Sequence, residues 1–451
     1  MTYNKKTILL SALILLIVFL FAWWSNPSLI PKIAPDSYEY ISIAKNFSDP
    51  SHEIRPFFYP MMIRFCMIIG GEHWGNILMG LQIILHCLTI VIMFHLYLTL
   101  NIPNYIAFIF SIVIGINPNL ILYTTRLLPQ QILGVLIGLT FYFSLKLIKM
   151  WDVEILFKNK NLYLIGVFSG LALVTKPSWM LGILPIISTI IYLKKISITT
   201  LKVVLILLIL HFSFNFIWNQ YKIKINNEPV YGISIINGER PNIFEKTIFF
   251  VQGQNITLAA IRLGLVEYAQ GTPFYKRLKE RDLLKLAGEL NGIPDEKYMY
   301  IINSFTWDER NDTEFAQAIL RNAPFQLLFG QLSTWHTFFT KRMFYPDDGF
   351  PGMPKIVKYL YVGSYSNLYR PFMPILLVIF LGLIRVKEYK PVVILIGLIL
   401  LYFSLLHAIF TASPQHFIYY RTSVEYILFF AVLLPVAYLI EFLKTSIKQL
   451  I

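Results

Sequence analysis

Apolar stretches of about twenty residues recur along this chain, and lysine or arginine stands at the ends of most of them. That pattern leaves few options. In hydrocarbon every backbone N–H and C=O must be satisfied within the protein, so such stretches become helices packed side by side. Runs long enough to span lie at 7–24, 75–98, 105–123, 129–148, 162–175, 177–193, 199–218, 371–385, 391–410 and 421–443. The expected fold class is therefore all-α: a polytopic membrane protein of about ten transmembrane helices, with an eleventh left open. Only 14% of the residues are charged, against about 25% in soluble domains. The stretch 57–71 is apolar but short and carries Pro60 and Arg64, so it reads as interfacial or re-entrant. The first run follows Lys5 and Lys6 and is succeeded by Ser25-Asn26-Pro27, not by a small-residue cleavage site. It reads as an uncleaved anchor.

Charge placement orients these helices. With ten crossings both termini share a side. That side carries Lys5 and Lys6; Lys146, Lys149, Lys158 and Lys160; Lys194, Lys195 and Lys202; Arg385, Lys387 and Lys390; and Lys444 and Lys448. The short loops of the other side carry mainly Arg126, Lys176 and Arg421. By the positive-inside rule the first side is cytoplasmic. Asp36, Glu39, Arg55, Arg126, Lys176 and Arg421 then face outward, as does the polar segment 219–370.

The net charge of +14 belongs to helix ends and anionic headgroups, so it argues for membrane lipids as partners and against nucleic acid. Cys66 and Cys87 sit in apolar surroundings and form no metal-ligand pattern. No metal site is expected. The wealth of Ile, Lys and Asn fits an AT-rich bacterial genome, which places the chain in a bacterial cytoplasmic membrane.

Three regions follow: a transmembrane module over 1–218 with a first external loop at 25–74, an external segment over 219–370, and C-terminal transmembrane helices over 371–451. Within the external segment, Glu267 to Leu290 reads as one or two helices. Asp312 to Asn322 reads as another, capped by Asp312, with Glu314 in its first turn and Pro324 just beyond it. Phe325 to Phe339 is amphipathic and aromatic, suited to a membrane surface. Tyr345 to Pro354 is a turn-rich loop.

The candidate chemistry starts at Asp36-Ser37-Tyr38-Glu39-Tyr40, just outside the first apolar run. Asp36 and Glu39 are three apart and share a face if a helix begins there. The bland alternative is that Asp36 caps that helix after Pro35, with Glu39 a surface residue. Arg55 opens Arg55-Pro56-Phe57-Phe58-Tyr59-Pro60, and its planar donors suit phosphate or, equally, lipid headgroups. Lys176 ends Gly170-Leu171-Ala172-Leu173-Val174-Thr175-Lys176 between two spans, where a cation needs a partner. Arg421 follows His416-Phe417-Ile418-Tyr419-Tyr420. Tyr419 and Tyr420 also fit an interfacial aromatic belt.

Taken together these stretches resemble membrane glycosyltransferases of the GT-C class, in the branch of protein O-mannosyltransferases and aminoarabinose transferases. The likeness lies in the Asp36 motif in its first external loop, the Arg55 to Pro60 stretch, the Gly170 to Pro177 segment with Lys176 in place of arginine, and the His416 to Arg421 loop. Ala318 to Phe339 is similar to the family's amphipathic helix, with Asn322-Ala323-Pro324 where Asn-Pro is usual. The resemblance covers the organisation of the first 218 residues and is loose beyond. Two departures stand out: Ser37 replaces an acidic residue, and Thr125 to Gln131 holds no carboxylate.

The resemblance implies a polyprenyl-phosphate-linked sugar as donor and an inverting transfer to a hydroxyl of an envelope acceptor, either a protein such as a pilin or a glycolipid or polysaccharide. Asp36 would be the general base, with Glu39 a lesser candidate. Arg55, Lys176 and Arg421 would stabilise the departing phosphate. Tyr59, Arg126, His416 and Tyr419 would contact donor or acceptor. Cations suffice for the leaving group, so no cofactor is required and a divalent metal has no support in the residues. Trp307, Trp335 and Tyr345 could stack on sugars or pack a core. The alternatives are a lipid-linked-sugar flippase or polysaccharide transporter, and an enzyme of the O-antigen polymerase or ligase type. A transporter predicts charged residues within the spans lining a path, and activity without sugar transfer; the spans are nearly free of acidic groups. Here Glu425 and Glu441 are the main ones, and local pairing or interfacial placement is the plainer reading of each. A polymerase calls for an arginine-rich external loop, and 219–370 is of mixed sign.

Overall fold

The computed structural model describes residues 5–47, 56–152, 155–226, 256–287, 300–301, 304–306, 309, 312–333, 339, 350–367, 372–410, 421 and 423–450. In chain order its helices are α1 (Lys5–Ser25), α2 (Pro35–Lys45), α3 (Phe58–Gly70), α4 (Trp74–Thr99), α5 (Asn104–Gly115), α6 (Pro118–Thr124), α7 (Gln130–Lys149), α8 (Lys160–Leu173), α9 (Leu184–Lys194), α10 (Ile198–Asn226), α11 (Pro273–Glu280), α12 (Thr313–Asn322), α13 (Pro324–Ser333), α14 (Lys355–Asn367), α15 (Met373–Gly382), α16 (Lys390–Phe410) and α17 (Glu425–Leu450). Among the described residues no strand forms; one isolated parallel bridge joins Lys32 and Arg126. The chain divides into two compact units, the first comprising Met1–Tyr231, Arg342–Tyr402 and Thr422–Ile451, the second Gly232–Lys341 and Phe403–Arg421.

The first unit holds the apolar helices. Lys5–Ser25, the run Phe58–Thr99, Gln130–Lys149, Ile198–Trp218 and Glu425–Ser446 are each long and apolar enough to cross a membrane. α5 and α6 make a sixth if that bent pair is one crossing. Four further apolar helices, at Lys160–Leu173, Leu184–Lys194, Met373–Arg385 and Lys390–Leu405, are shorter. Outward faces are oily: Leu9 is 68% exposed, Ile68 75% and Val378 69%. Contiguous exposure of such side chains is untenable in water and ordinary against lipid. The chain is an integral membrane protein.

Two of the apolar runs are broken. The run 105–123 bends by 58° between α5 and α6. Pro118 takes the first position of α6, and the Asn117 side chain accepts from the Asn119 N–H at 2.9 Å, so a new helix starts where hydropathy alone shows continuity. The 42-residue run Phe58–Thr99 is also two helices. The Tyr59 hydroxyl donates to Gln82 Oε1 at 3.4 Å, whereas a straight helix would separate them by about 35 Å. α3 therefore folds back on α4. Gly71 makes the turn with φ +51°, a conformation other residues rarely adopt. α3 has 13 residues and is too short to cross ~30 Å of hydrocarbon; α4, with 26, is long enough.

α8 and α10 pack closely because Gly166 and Gly170 lie on the shared face. A side chain at Gly170 would come within 2.8 Å of the Leu210 carbonyl and 3.0 Å of the His211 carbonyl. Small residues four apart are the usual device for close helix approach in lipid. Elsewhere Gly352 donates its N–H to the Ser25 carbonyl at 3.2 Å. Tyr365 donates to the Val113 carbonyl at 2.7 Å, which docks α14 on α5.

The second unit is built of short helices around an apolar core that includes Leu258, Ile261, Phe274, Leu278, Phe305, Phe315 and Ile319. As the residues predict, Asp312 caps α12, accepting from the Phe315 N–H at 2.9 Å. Its other oxygen accepts from the Phe274 N–H of α11 at 2.7 Å and pairs with Arg277 at 3.0 Å. The one or two helices expected over 267–290 are a turn at Val266–Ala269, then α11, then a single turn at Leu284–Ala287. Gly271 at φ +87° and Asp282 at φ +54° interrupt it. α13 is amphipathic, burying Leu327 and Gln331 while exposing Phe325 and Phe329. Trp307, Trp335 and Tyr345 lie outside the described residues.

Candidate functional site

α2 carries Asp36 and Glu39. Ala34 is its N-cap and Pro35 opens the helix, where proline's fixed φ suits the first turn. The cap work falls to Ser37, not to Asp36. Its hydroxyl accepts from the Ala34 N–H at 2.8 Å and donates to the Leu127 carbonyl at 2.8 Å. Asp36, in the first turn, is half-buried and sits where the helix dipole favours an anion. Glu39 lies one turn on and is exposed.

The chain just before α2 is fastened to the turn containing Arg126. The Lys32 N–H donates to the Thr125 carbonyl at 2.8 Å, and the Leu127 N–H donates to the Lys32 carbonyl at 3.0 Å. The same turn is held from beneath by Gln82, which is fully buried on α4. Its amide donates to the Thr124 carbonyl at 3.1 Å and the Arg126 carbonyl at 3.0 Å. The Arg126 guanidinium lies 5.3 Å from the Tyr123 ring centre, within cation–π reach.

The other motifs join through α3. Tyr59 is fully buried, its ring meeting Tyr40 of α2 edge-on at 5.1 Å, while its hydroxyl reaches Gln82 as above. The Phe58 N–H donates to the Val174 carbonyl at 3.2 Å, which ties the start of α3 to the turn bearing Lys176. Lys176 is buried, 8% exposed. Hydrogen bonds and ring contacts thus draw four separate segments of the first unit together: those of Asp36, Tyr59, Arg126 and Lys176.

Other candidates fall elsewhere. Arg421 is assigned to the second unit, and its side chain is fully buried. Arg55, His416 and Tyr419 lie outside the described residues. The acidic residues of the last helix are locally engaged. Glu425 is fully buried and accepts from Asn119 Nδ2 at 3.2 Å. Glu441 lies 3.9 Å from Lys444. Beside Glu425, Tyr426 bonds to Gln131 and meets His86 Nδ1 at 3.0 Å. Among the described residues no three His, Cys, Asp or Glu side chains gather as a metal site.

Sequence reasoning passed over Gln82 and noted Ser37 only as a departure from the family pattern. Gln82 is the amide buried within the apolar stretch of α4, and that setting is the available signal, because a buried amide in a span must find partners.

No family model matches the chain, and no curated protein matches it. Among solved structures it is similar to the crystal structure of ArnT from Cupriavidus metallidurans bound to undecaprenyl phosphate, at 10% identity and a TM-score of 0.35, over 93% of this chain and 79% of that one. The apo form of the same ArnT matches at 12% identity and a TM-score of 0.35, over 89% of this chain and 77% of that one.

Proposed function

We propose that this chain is an inverting glycosyltransferase that moves a sugar from a polyprenyl-phosphate donor to a hydroxyl of an envelope acceptor. One observation supports it above the others: Ser37, next to Asp36, is bonded to the turn of Arg126, while α3 links that turn to the one bearing Lys176. A carboxylate and two cations from distant stretches of sequence are thereby gathered on elements that share buried hydrogen bonds.

The chemistry divides between them. As the acceptor oxygen bonds to the anomeric carbon, its proton passes to the Asp36 carboxylate. The bond from that carbon to the donor phosphate breaks, and its electron pair stays on the phosphate oxygen. Lys176 and Arg126, with Arg55 as a further cation, stabilise the charge that grows there. Products are the glycosylated acceptor and free polyprenyl phosphate, and the proton leaves Asp36 for solvent. Attack opposite the leaving phosphate inverts the anomeric centre.

On this account all ten apolar runs cross a bacterial cytoplasmic membrane, the short ones where the bilayer thins or the helices pack inside the bundle. Both termini are cytoplasmic and the site faces outward, in keeping with the lysine bias at alternate helix ends. The second unit bears on acceptor choice.

The test is a paired titration of donor and acceptor. Lys176→Ala and Arg126→Ala raise the donor concentration at half-maximal rate by about ten-fold, the loss of one charge-assisted bond, and leave the acceptor dependence unchanged. An unaltered donor titration in both variants would assign these cations to lipid headgroups and remove the phosphate site.

A further inference from the structure

Behind Lys176 lies a closed ring of hydrogen bonds that the transfer chemistry does not use. The Trp179 N–H donates to the Lys176 carbonyl at 3.0 Å. The Trp179 indole N–H donates to Ser169 Oγ at 2.9 Å. Ser169 Oγ lies 2.8 Å from His211 Nδ1, and His211 Nε2 lies 3.0 Å from the Met180 carbonyl. Valence fixes the directions. A carbonyl only accepts, so Nε2 carries the imidazole proton and Nδ1 accepts from the serine hydroxyl. An indole only donates, so the serine oxygen accepts from Trp179. The ring therefore starts and ends on adjacent residues, Trp179 and Met180, and every proton in it is used.

Its setting makes it rigid. Trp179, Ser169 and His211 are each 0% exposed, so no bulk water competes for these bonds, and in low dielectric each strengthens the next. α8 supplies Ser169 and α10 supplies His211, and the close approach at Gly170 brings the two within reach. A third helix adds to the hold: the Tyr402 hydroxyl of α16 donates to the Ser178 carbonyl at 2.6 Å. Three helices thus clamp the turn 177–180, immediately after Lys176.

Apolar packing could have closed this turn at lower desolvation cost, since a buried polar group contributes little net stability. What the ring adds is a fixed backbone at the base of a long, flexible side chain. Lysine loses considerable rotamer freedom when its ammonium is held at one point, and a rigid base limits that loss. We infer that the Trp179–Ser169–His211 ring positions Lys176 against the phosphate of a lipid-linked donor, with Ser169 and His211 as positioning residues that touch no substrate. This rests on the donor site proposed above.

The experiment is a double-mutant cycle on the full-length protein in nanodiscs, with undecaprenyl phosphate as the probe and phosphatidylglycerol as competitor. Ser169→Ala and Trp179→Phe each break the ring with a small change in volume. Each is expected to raise the Kd for undecaprenyl phosphate by about five-fold, and combining either with Lys176→Ala is expected to weaken binding no further than Lys176→Ala alone. Wild-type affinity in both ring variants, or losses that add to that of Lys176→Ala, would overturn the positioning role while leaving the donor site standing. No loss in Lys176→Ala itself, or equal displacement by phosphatidylglycerol, would remove the donor site and the inference with it.

Discussion

The hydroxyl of Ser37 donates to the carbonyl of Leu127 at 2.8 Å, across ninety residues of sequence. That bond, with the Lys32–Arg126 bridge beside it, joins the helix turn bearing Asp36 to the turn bearing Arg126.

Ser37→Ala tests that joint. The hydroxyl both caps α2 and holds Leu127, so its loss is expected to lower stability by about 1–2 kcal/mol. Turnover of a polyprenyl-phosphate donor is expected to fall at least ten-fold, because Asp36 loses its register. Amide exchange over 34–40 and a turnover assay together check both, and unchanged turnover would separate Ser37 from the chemistry.

Gln82→Leu should behave alike for a different reason. The amide donates to the carbonyls of Thr124, which is buried, and of Arg126, which also accepts from the Leu128 N–H. Leaving them without it costs about 1–3 kcal/mol. The turn of Arg126 is expected to loosen, seen as faster amide exchange over 124–128 and a weaker donor response. Gln82→Glu, which keeps the shape but only accepts when ionised, is expected to be no better.

Asp312→Ala concerns the second unit. One carboxylate caps α12, receives the Phe274 N–H of α11 and pairs with Arg277. Its removal is expected to destabilise that unit by about 2–3 kcal/mol. With two units in one chain, global melting is a poor gauge; limited proteolysis of 256–333 reads the effect directly, and wild-type resistance would count against it.

A pH effect belongs to the same unit. The Thr306 N–H and the Arg281 guanidinium hold the half-buried Glu309 carboxyl below its ordinary value of 4.5. A depressed pKa means the folded form binds its proton less readily than the unfolded one. The stabilisation is therefore complete above pH 4.5 and is lost as pH falls through the lower, folded value. Glu309→Gln should flatten this acid-side loss, measured by proteolysis of the unit from pH 5.5 down to about 3, and the difference should shrink with added salt. Identical acid profiles would show that the Arg281 and Thr306 contacts carry no such linkage.

How much of this was legible depended on the range of the signal. The Asp312 cap was readable because cap, acidic first turn and following proline lie within thirteen residues. The long apolar runs were readable for the same local reason. The break at Asn117-Pro118 was masked by unbroken hydropathy on both sides, although Pro118 was in view. Local propensity left Asp36 open as a cap. The structure instead uses Ser37, whose hydroxyl can both accept and donate, and Leu127 supplies the acceptor. Gln82, Ser169 and His211 were passed over because each finds its partner far along the chain. A single polar residue in an apolar run announces that a partner exists without naming it.

The central claim is that Asp36 takes the acceptor proton in sugar transfer from a lipid phosphate. Its most direct test gives purified full-length protein a panel of polyprenyl-phosphate sugars and measures release of free polyprenyl phosphate by wild type and Asp36→Asn. The account predicts release by wild type and a loss of at least a thousand-fold in Asp36→Asn, with unchanged folding and donor binding. Wild-type release rates from Asp36→Asn, or no donor consumed by well-folded wild type, would contradict it.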